Sequence, residues 1–137
     1  MALSVTLVTP EKEVLNRTAD AVVVPGVLGE LGILKGHAPL LSQLQAGSIR
    51  LRENDRTDFF AISGGFVEVK NNQVAIFAET AEQAQEIDLE RARQAAERAK
   101  ATLHDRRTDT NLAEAEAALR RAIARLRVAE NLRRTHR

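Results

Sequence analysis

Apolar side chains fall at every second position from Leu3 to Leu7, with Ser4, Thr6 and Val8 between and after them. That is the period of a half-buried strand, and Pro10 ends it. Ala21 to Val24 is a β-branched run closed by Pro25-Gly26, the pattern of a strand covered on both faces. Gly29 to Leu41 then packs three glycines and a proline into thirteen residues, yet also carries Leu31, Ile33, Leu34, Leu40 and Leu41. A flexible linker has no use for so many aliphatics. The stretch is expected to be a tightly turned corner packed on the core, with Glu30 and His37 facing outward.

Beyond Gly47, Ile49 and Leu51 alternate with Arg50 and Arg52 before Asn54-Asp55 turns the chain. Phe59 to Ile62 and Phe66 to Val69 flank Ser63-Gly64-Gly65, where missing side chains predict a bulge or a close backbone approach. Asn71-Asn72 joins this run to Gln73–Phe77 as a two-residue hairpin, because asparagine tolerates positive φ. About eight short strands by residue 78 imply a β-sandwich or flattened barrel.

After Phe77 the pattern changes. No glycine, proline or aromatic residue follows Ala78, and alanine, glutamate and arginine dominate, so this half is read as helical. Asp88 is placed to cap a first helix in which Leu89, Ala92, Ala96, Ala99 and Leu103 recur at spacings of three and four. His104 to Thr110 is polar and forms the turn, and Leu112, Ala115, Leu119, Ala122, Leu126 and Ala129 repeat the rhythm in a second helix. The expected fold is β + α: an N-terminal β-sandwich or flattened barrel over residues 1–86, then a C-terminal antiparallel two-helix hairpin over 87–137. Alanine where leucine could stand forgoes about three methylene groups, or roughly 2 kcal/mol of burial per position. Each helix is therefore expected to be stable by propensity while the contact between them stays weak enough to open.

Length and charge narrow the possibilities. The 137 residues suffice for one modest core. A formal charge of +1 gives no whole-chain attraction to nucleic acid or anionic lipid, but residues 119–137 hold seven arginines against Glu130 alone. Cysteine is absent, which removes disulfides, thiolate metal sites and a cysteine nucleophile. The N-terminus lacks the basic start of a signal peptide, and no apolar run approaches the roughly 20 residues of a membrane helix.

Enzyme machinery is hard to find. Gly29, Gly32 and Gly36 are followed by no Gly-Lys-Ser/Thr, so they form no Walker loop and no dinucleotide fingerprint. His37, His104 and His136 have no metal-ligand spacing, and Ser63 lacks the nucleophile-elbow pattern. No catalytic residue and no metal site are therefore expected. The helical arginines say more. Arg120 has Glu116 four residues before it and Arg127 has Glu130 three after, so both can pair within the helix. Arg121 and Arg125 have only alanines, Val128 and each other at those spacings, a repulsion of about 0.2–0.5 kcal/mol that asks for an external anion. Arg98 is likewise unpaired. In a closed hairpin Arg91 and Arg98 could converge with Arg121 and Arg125 on phosphate oxygens, or the same arginines could wait for a partner's carboxylates.

Separated blocks then carry a resemblance over nearly the whole chain. They are Val8-Thr9-Pro10, Gly29-Glu30-Leu31-Gly32-Ile33-Leu34 with Gly36-His37-Ala38-Pro39-Leu40, Ser63-Gly64-Gly65-Phe66-Val67-Glu68-Val69, and Arg125-Leu126-Arg127-Val128-Ala129-Glu130. In these the chain resembles the epsilon subunits of bacterial F-type ATP synthases, with Lys35 where that family usually has proline. The resemblance implies a non-catalytic coupling and regulatory subunit in the rotary central stalk, bound to the gamma subunit and the c-ring. It implies a peripheral position at the cytoplasmic face of the bacterial plasma membrane, reached only through the complex. Glu30 would face the c-ring, with His37 near the same interface.

In that family the C-terminal helices can extend into the catalytic head and block hydrolysis, meeting acidic segments of the alpha and beta subunits. Some members hold the compact form by binding ATP through an Ile/Leu-Asp-x-x-Arg-Ala motif and arginines of the second helix. Ile87-Asp88-Leu89-Glu90-Arg91-Ala92 matches that motif, and Glu82, Arg98, Arg121 and Arg125 fall at the matching positions. No cofactor is required on this reading, and ATP is a regulatory ligand. The alternative class is a free-standing ATP-sensing module. Nucleic-acid binding by the basic tail is disfavoured, because no stacking aromatics accompany it.

Overall fold

The computed structural model describes residues 2–104 and 112–135, with side chains as far as Asn131. Eight strands come first: β1 (Leu3–Val8), β2 (Glu13–Ala19), β3 (Ala21–Gly26), β4 (Gly29–Leu34), β5 (Leu40–Glu53), β6 (Arg56–Lys70), β7 (Gln73–Ala78) and β8 (Ala81–Gln83). Two helices follow, α1 (Leu89–His104) and α2 (Leu112–Thr135). The architecture is the expected sandwich with a helical pair.

The strands form one sheet in the order β2-β1-β7-β6-β5-β3-β4, with β8 on β6. All neighbours are antiparallel except β1 and β7, which run parallel. Leu3, Val5 and Leu7 near one end of this order share a core with Val22, Val24 and Ile33 near the other, so the sheet is folded over on itself. β5 and β6 make the fold-over possible. Their ladder is broken where Ala46 faces Ser63, and Gly64 and Gly65 follow with φ of 135° and 151°. At Gly65 a Cβ would lie 1.9 Å from the Phe77 carbonyl oxygen, so only glycine lets β6 pass β7 this closely. The Asn71-Asn72 hairpin has φ of 52° and 61°, and Asn54 has 57°, as the turn chemistry predicts.

Several expectations need correction. Gly29–Leu34 is a regular strand paired to β3 rather than a turned corner, and its alternation leaves Leu34 59% exposed. Leu41 is 70% exposed, so two of the five aliphatics there are not packed on the core. Ile33 is fully buried, while Leu31 and Leu40 are partly so. The runs either side of Ser63-Gly64-Gly65 are halves of one long strand. β2 and β8 carry too little alternation to be read from sequence. In β3, Val22 and Val24 are buried, but Ala21 and Val23 are only half covered.

A second, smaller cluster lies outside the sandwich. Phe59 and Ala61 on the outer face of β6 pack with Ala84, Ile87, Ala92, Val128 and Ala129. Ala92 near the start of α1 thus meets Val128 and Ala129 late in α2, while Leu103 at the end of α1 shares a cleft with Leu119. The helices are antiparallel. Their buried residues, among those described, are small: Ala92 and Ala96 in α1, and Ala115, Ala122, Ala124, Val128 and Ala129 in α2. Leu112, placed in the seam by its spacing, is 62% exposed. The polar turn expected after His104, together with His136 and the side chains of Arg133, Arg134 and Arg137, lies outside the described residues.

Candidate functional site between the helix pair and the sandwich

β8 is only three residues long, but pairing of Ala61 with Glu82 fixes it on β6 and stands Glu82 beside α2. A single 3₁₀ turn over Ala84–Glu86 then leads into Ile87, which is buried in the second cluster. Asp88 does what its position predicts. Its Oδ1 accepts the backbone N–H groups of Glu90 at 3.0 Å and Arg91 at 3.2 Å, capping α1. Ala92, one turn in, is wholly buried in the cluster that also holds Val128 and Ala129 of α2.

The strongest polar contact in this region is a forked ion pair. Arg125 Nε donates to Glu82 Oε1 at 2.7 Å and its Nη2 donates to Oε2 at 3.1 Å. Both side chains are about one-third exposed, at 35% and 34%. The geometry is that of a charge-assisted bidentate pair, which ties α2 to the sheet edge. Arg91 reaches Asp88 only at 3.9 Å and is 84% exposed, so that contact is weak. Arg98 and Arg121 are exposed and make no ion pair among the described residues. Arg121 lines a cleft with Arg120 and the Gly64–Phe66 backbone of β6. Of the residues suggested for ATP, the structure therefore joins Glu82 to Arg125 and Arg91 to Asp88, packs Ile87 and Ala92, and leaves Arg98 and Arg121 open.

Glu30 and His37 stand at opposite ends of β4. Glu30 Oε2 accepts from Arg50 Nη2 at 2.8 Å on the surface. His37 is half-buried, and its Nδ1 donates to the Ala38 carbonyl oxygen at 2.7 Å. The Gly36 N–H bonds Asn72 Oδ1 at 2.7 Å, anchoring this loop to the β6–β7 turn. A partner touching both Glu30 and His37 must span the length of the strand.

Two features were not anticipated. Asp58 is the one buried charged residue among those described, held by Arg17 and by Arg56 Nε at 3.4 Å. Its sequence signal was slight, an acid heading the apolar run Phe59–Ile62. The other is an open apolar face. Phe66 and Phe77 are cross-strand partners, 51% and 50% exposed, and Leu41 lies two residues along from Gln43, the β5 partner of Phe66. Alternation held the clue, since Phe66 sits on the phase opposite to the buried Val67 and Val69.

Among the described residues no helix is long and apolar enough to cross a membrane, and no cluster of three His, Cys, Asp or Glu could hold a metal. Comparison with protein families decides the relationship. The β-sandwich domain of the ATP synthase delta/epsilon chain matches residues 2–84, and the long α-helix domain of the same chain matches 85–130. The chain belongs to the ATP synthase delta/epsilon family. Among members of that family, the ATP synthase epsilon chain of Moorella thermoacetica is 49% identical over 129 residues, covering 93% of this chain and 96% of the relative. That of Symbiobacterium thermophilum is 48% identical over 128 residues, covering 93% and 92%. A chain in the cryo-EM structure of the Euglena gracilis mitochondrial ATP synthase, with OSCP, F1 and c-ring, superimposes with a TM-score of 0.78 at 26% identity. The match covers 99% of this chain and 82% of that one. A chain from the Tetrahymena thermophila central stalk and c-ring shares the fold, with a TM-score of 0.61 at 20% identity and 96% of each chain covered.

Proposed function

We propose that this epsilon-type chain is a non-catalytic coupling and regulatory subunit of a rotary F-type ATP synthase. The sandwich serves as a foot that joins a gamma-type subunit to the c-ring at the cytoplasmic face of the membrane. The helix pair serves as a movable brake on ATP hydrolysis. One observation carries this reading: the two outer faces of the sandwich are finished differently. One face is covered by α2 through mostly small side chains and a single forked ion pair. The other presents Leu41, Phe66 and Phe77 to solvent, as a face that a partner subunit covers would.

The brake follows from weak adhesion. Apart from Phe59, Ile87 and Val128, with Leu89 and Leu126 at the margin, the buried contacts of the second cluster are alanines, so lifting α2 exposes less apolar area than a leucine-packed seam would. Once lifted, α2 offers Arg120, Arg121, Arg125 and Arg127 to acidic segments of alpha- and beta-type subunits. ATP acts on the closed form, through Glu82, Ile87, Asp88, Arg91, Ala92, Arg98, Arg121 and Arg125. A ligand at a hundred times its Kd for the closed form favours it by about 2.7 kcal/mol, which is enough to decide between states of similar energy.

Two measurements test the parts separately. Leu41→Asp with Phe66→Asp should abolish co-purification with the membrane complex while the isolated chain keeps its circular dichroism; retained co-purification would remove the partner face. Arg121→Ala with Arg125→Ala should lower ATP affinity by at least about a hundredfold, given about 1.5–3 kcal/mol for each charge-assisted contact. Calorimetry showing unchanged affinity would discard these arginines as phosphate ligands.

A further inference from the structure

We infer that the outer face of β3, β5 and β6, where α2 leaves it open, is a binding site for an anionic amphiphile, a ligand with one negatively charged head and an acyl tail. Arg50 and Arg52 take the head, and Ala21, Val23 and Phe59 seat the tail. The inference stands on this cleft and not on the subunit role proposed above.

β5 supplies the cations. Ile49 and Leu51 are buried in the core, so strand alternation turns Arg50 and Arg52 outward together, roughly 7 Å apart at about 3.4 Å per residue. Arg50 is flanked across the sheet by Val23 and Phe59, and Arg52 by Ala21 and Thr57, so each guanidinium rises from between less polar neighbours. The same rows run on to the edge strand β4, where Val23 faces Gly32 and Ala21 faces Leu34. Gly32 has no side chain to cover this floor, and a Cβ there would meet nothing within 4 Å. The result is a cleft of about 510 Å³, lined from the helix side by Asn131 of α2. Small-molecule sites have this size, roughly 300–1,000 Å³.

An apolar occupant accounts for two departures from the sequence reading. The run Ala21 to Val24 has the pattern of a strand covered on both faces, yet Ala21 and Val23 are only half covered, and Leu34 beside them is 59% exposed. Charge says what else the occupant carries. The Arg52 side chain makes no hydrogen bond or ion pair among the described residues, and Arg50 gives only Nη2 to Glu30. An anion between the two offsets their mutual repulsion and accepts charge-assisted hydrogen bonds from both. An inorganic anion would leave the apolar floor unused. An extended peptide laid on it would bring amides that the Ala21, Val23 and Phe59 side chains cannot satisfy, whereas an acyl tail brings none.

The test is calorimetric titration of the full chain with dodecanoate below its micelle concentration. Dodecanoate should bind one to a chain. Dodecyltrimethylammonium, with the same tail and the opposite head, and butyrate, with the same head and a stub of tail, should each bind at least about tenfold more weakly. Arg52→Gln should cost about tenfold in dodecanoate affinity, the scale of one charge-assisted hydrogen bond. Ala21→Phe fills the floor while leaving both arginines, and should cost as much; circular dichroism checks that each variant is folded. Failure of dodecanoate to bind, equal binding of the ammonium amphiphile, or unchanged affinity in both variants would each overturn the site. A second arm identifies the source of the ligand. Co-sedimentation with phosphatidylglycerol vesicles that dodecanoate suppresses in the wild type, and not in Arg52→Gln, assigns the cleft to membrane lipid. Dodecanoate binding without that competition assigns it to a free long-chain carboxylate.

Discussion

Deleting residues 88–137 should raise ATP hydrolysis by the assembled enzyme roughly fivefold, what a brake of about 1 kcal/mol holds back, without preventing assembly. The sandwich core ends before the deletion: every fully buried member of its main cluster lies between Leu3 and Ala78. The truncated chain therefore keeps its foot. What it loses is the cover over Phe59, Ala61, Ala84 and Ile87 and the α2 side of the cleft beside Phe66, while the core between the layers stays closed. Hydrolysis assays on membranes reconstituted with full-length and truncated chains would measure this directly. Unaltered hydrolysis would leave the helices with no inhibitory role, whatever their ligand.

The second large effect is on stability. Gly65→Ala should destabilise the sandwich by about 3 kcal/mol or more, from backbone strain at φ 151° plus a Cβ aimed at the Phe77 carbonyl oxygen 1.9 Å away. β6 and β7 would have to part where the long strand crosses between layers. Gly64→Ala is the control. It carries similar strain, with φ 135°, but its Cβ would meet only the Leu44 carbonyl oxygen, at 3.5 Å. Urea unfolding should place Gly64→Ala between wild type and Gly65→Ala. Equal midpoints for the two variants would mean that close approach is not what selects glycine at Gly65.

The same glycine pair illustrates how far local signals carried. A pair of missing side chains between two apolar runs announced a close approach, and the asparagine hairpin announced its own φ angles. Strand β1 and the inward Ile49 and Leu51 were legible because alternation needs only neighbours. β2 was not, since Glu13 to Ala19 buries only Ala19 fully and its pairing with β1 is what makes it a strand. Leu34 and Leu41 misled for a related reason: aliphatic identity says that a residue can be buried, whereas the phase of its strand decides whether it is. The helical arginines show the limit most plainly. Spacing along α2 established that Arg125 lacked a helical partner and wanted an anion. That the anion is Glu82, forty-three positions earlier, follows from a three-residue strand too short to be read locally.

The parallel pairing of β1 with β7 has a consequence for how the chain is made. Ser4 must find Gln73, and Val8 must find Phe77, so the first strand stays without its parallel neighbour until residue 77 has left the ribosome. From then on nothing in the sandwich core waits for the helices, which are synthesised after it. They therefore arrive at a surface that is already complete, and docking onto it is a late step.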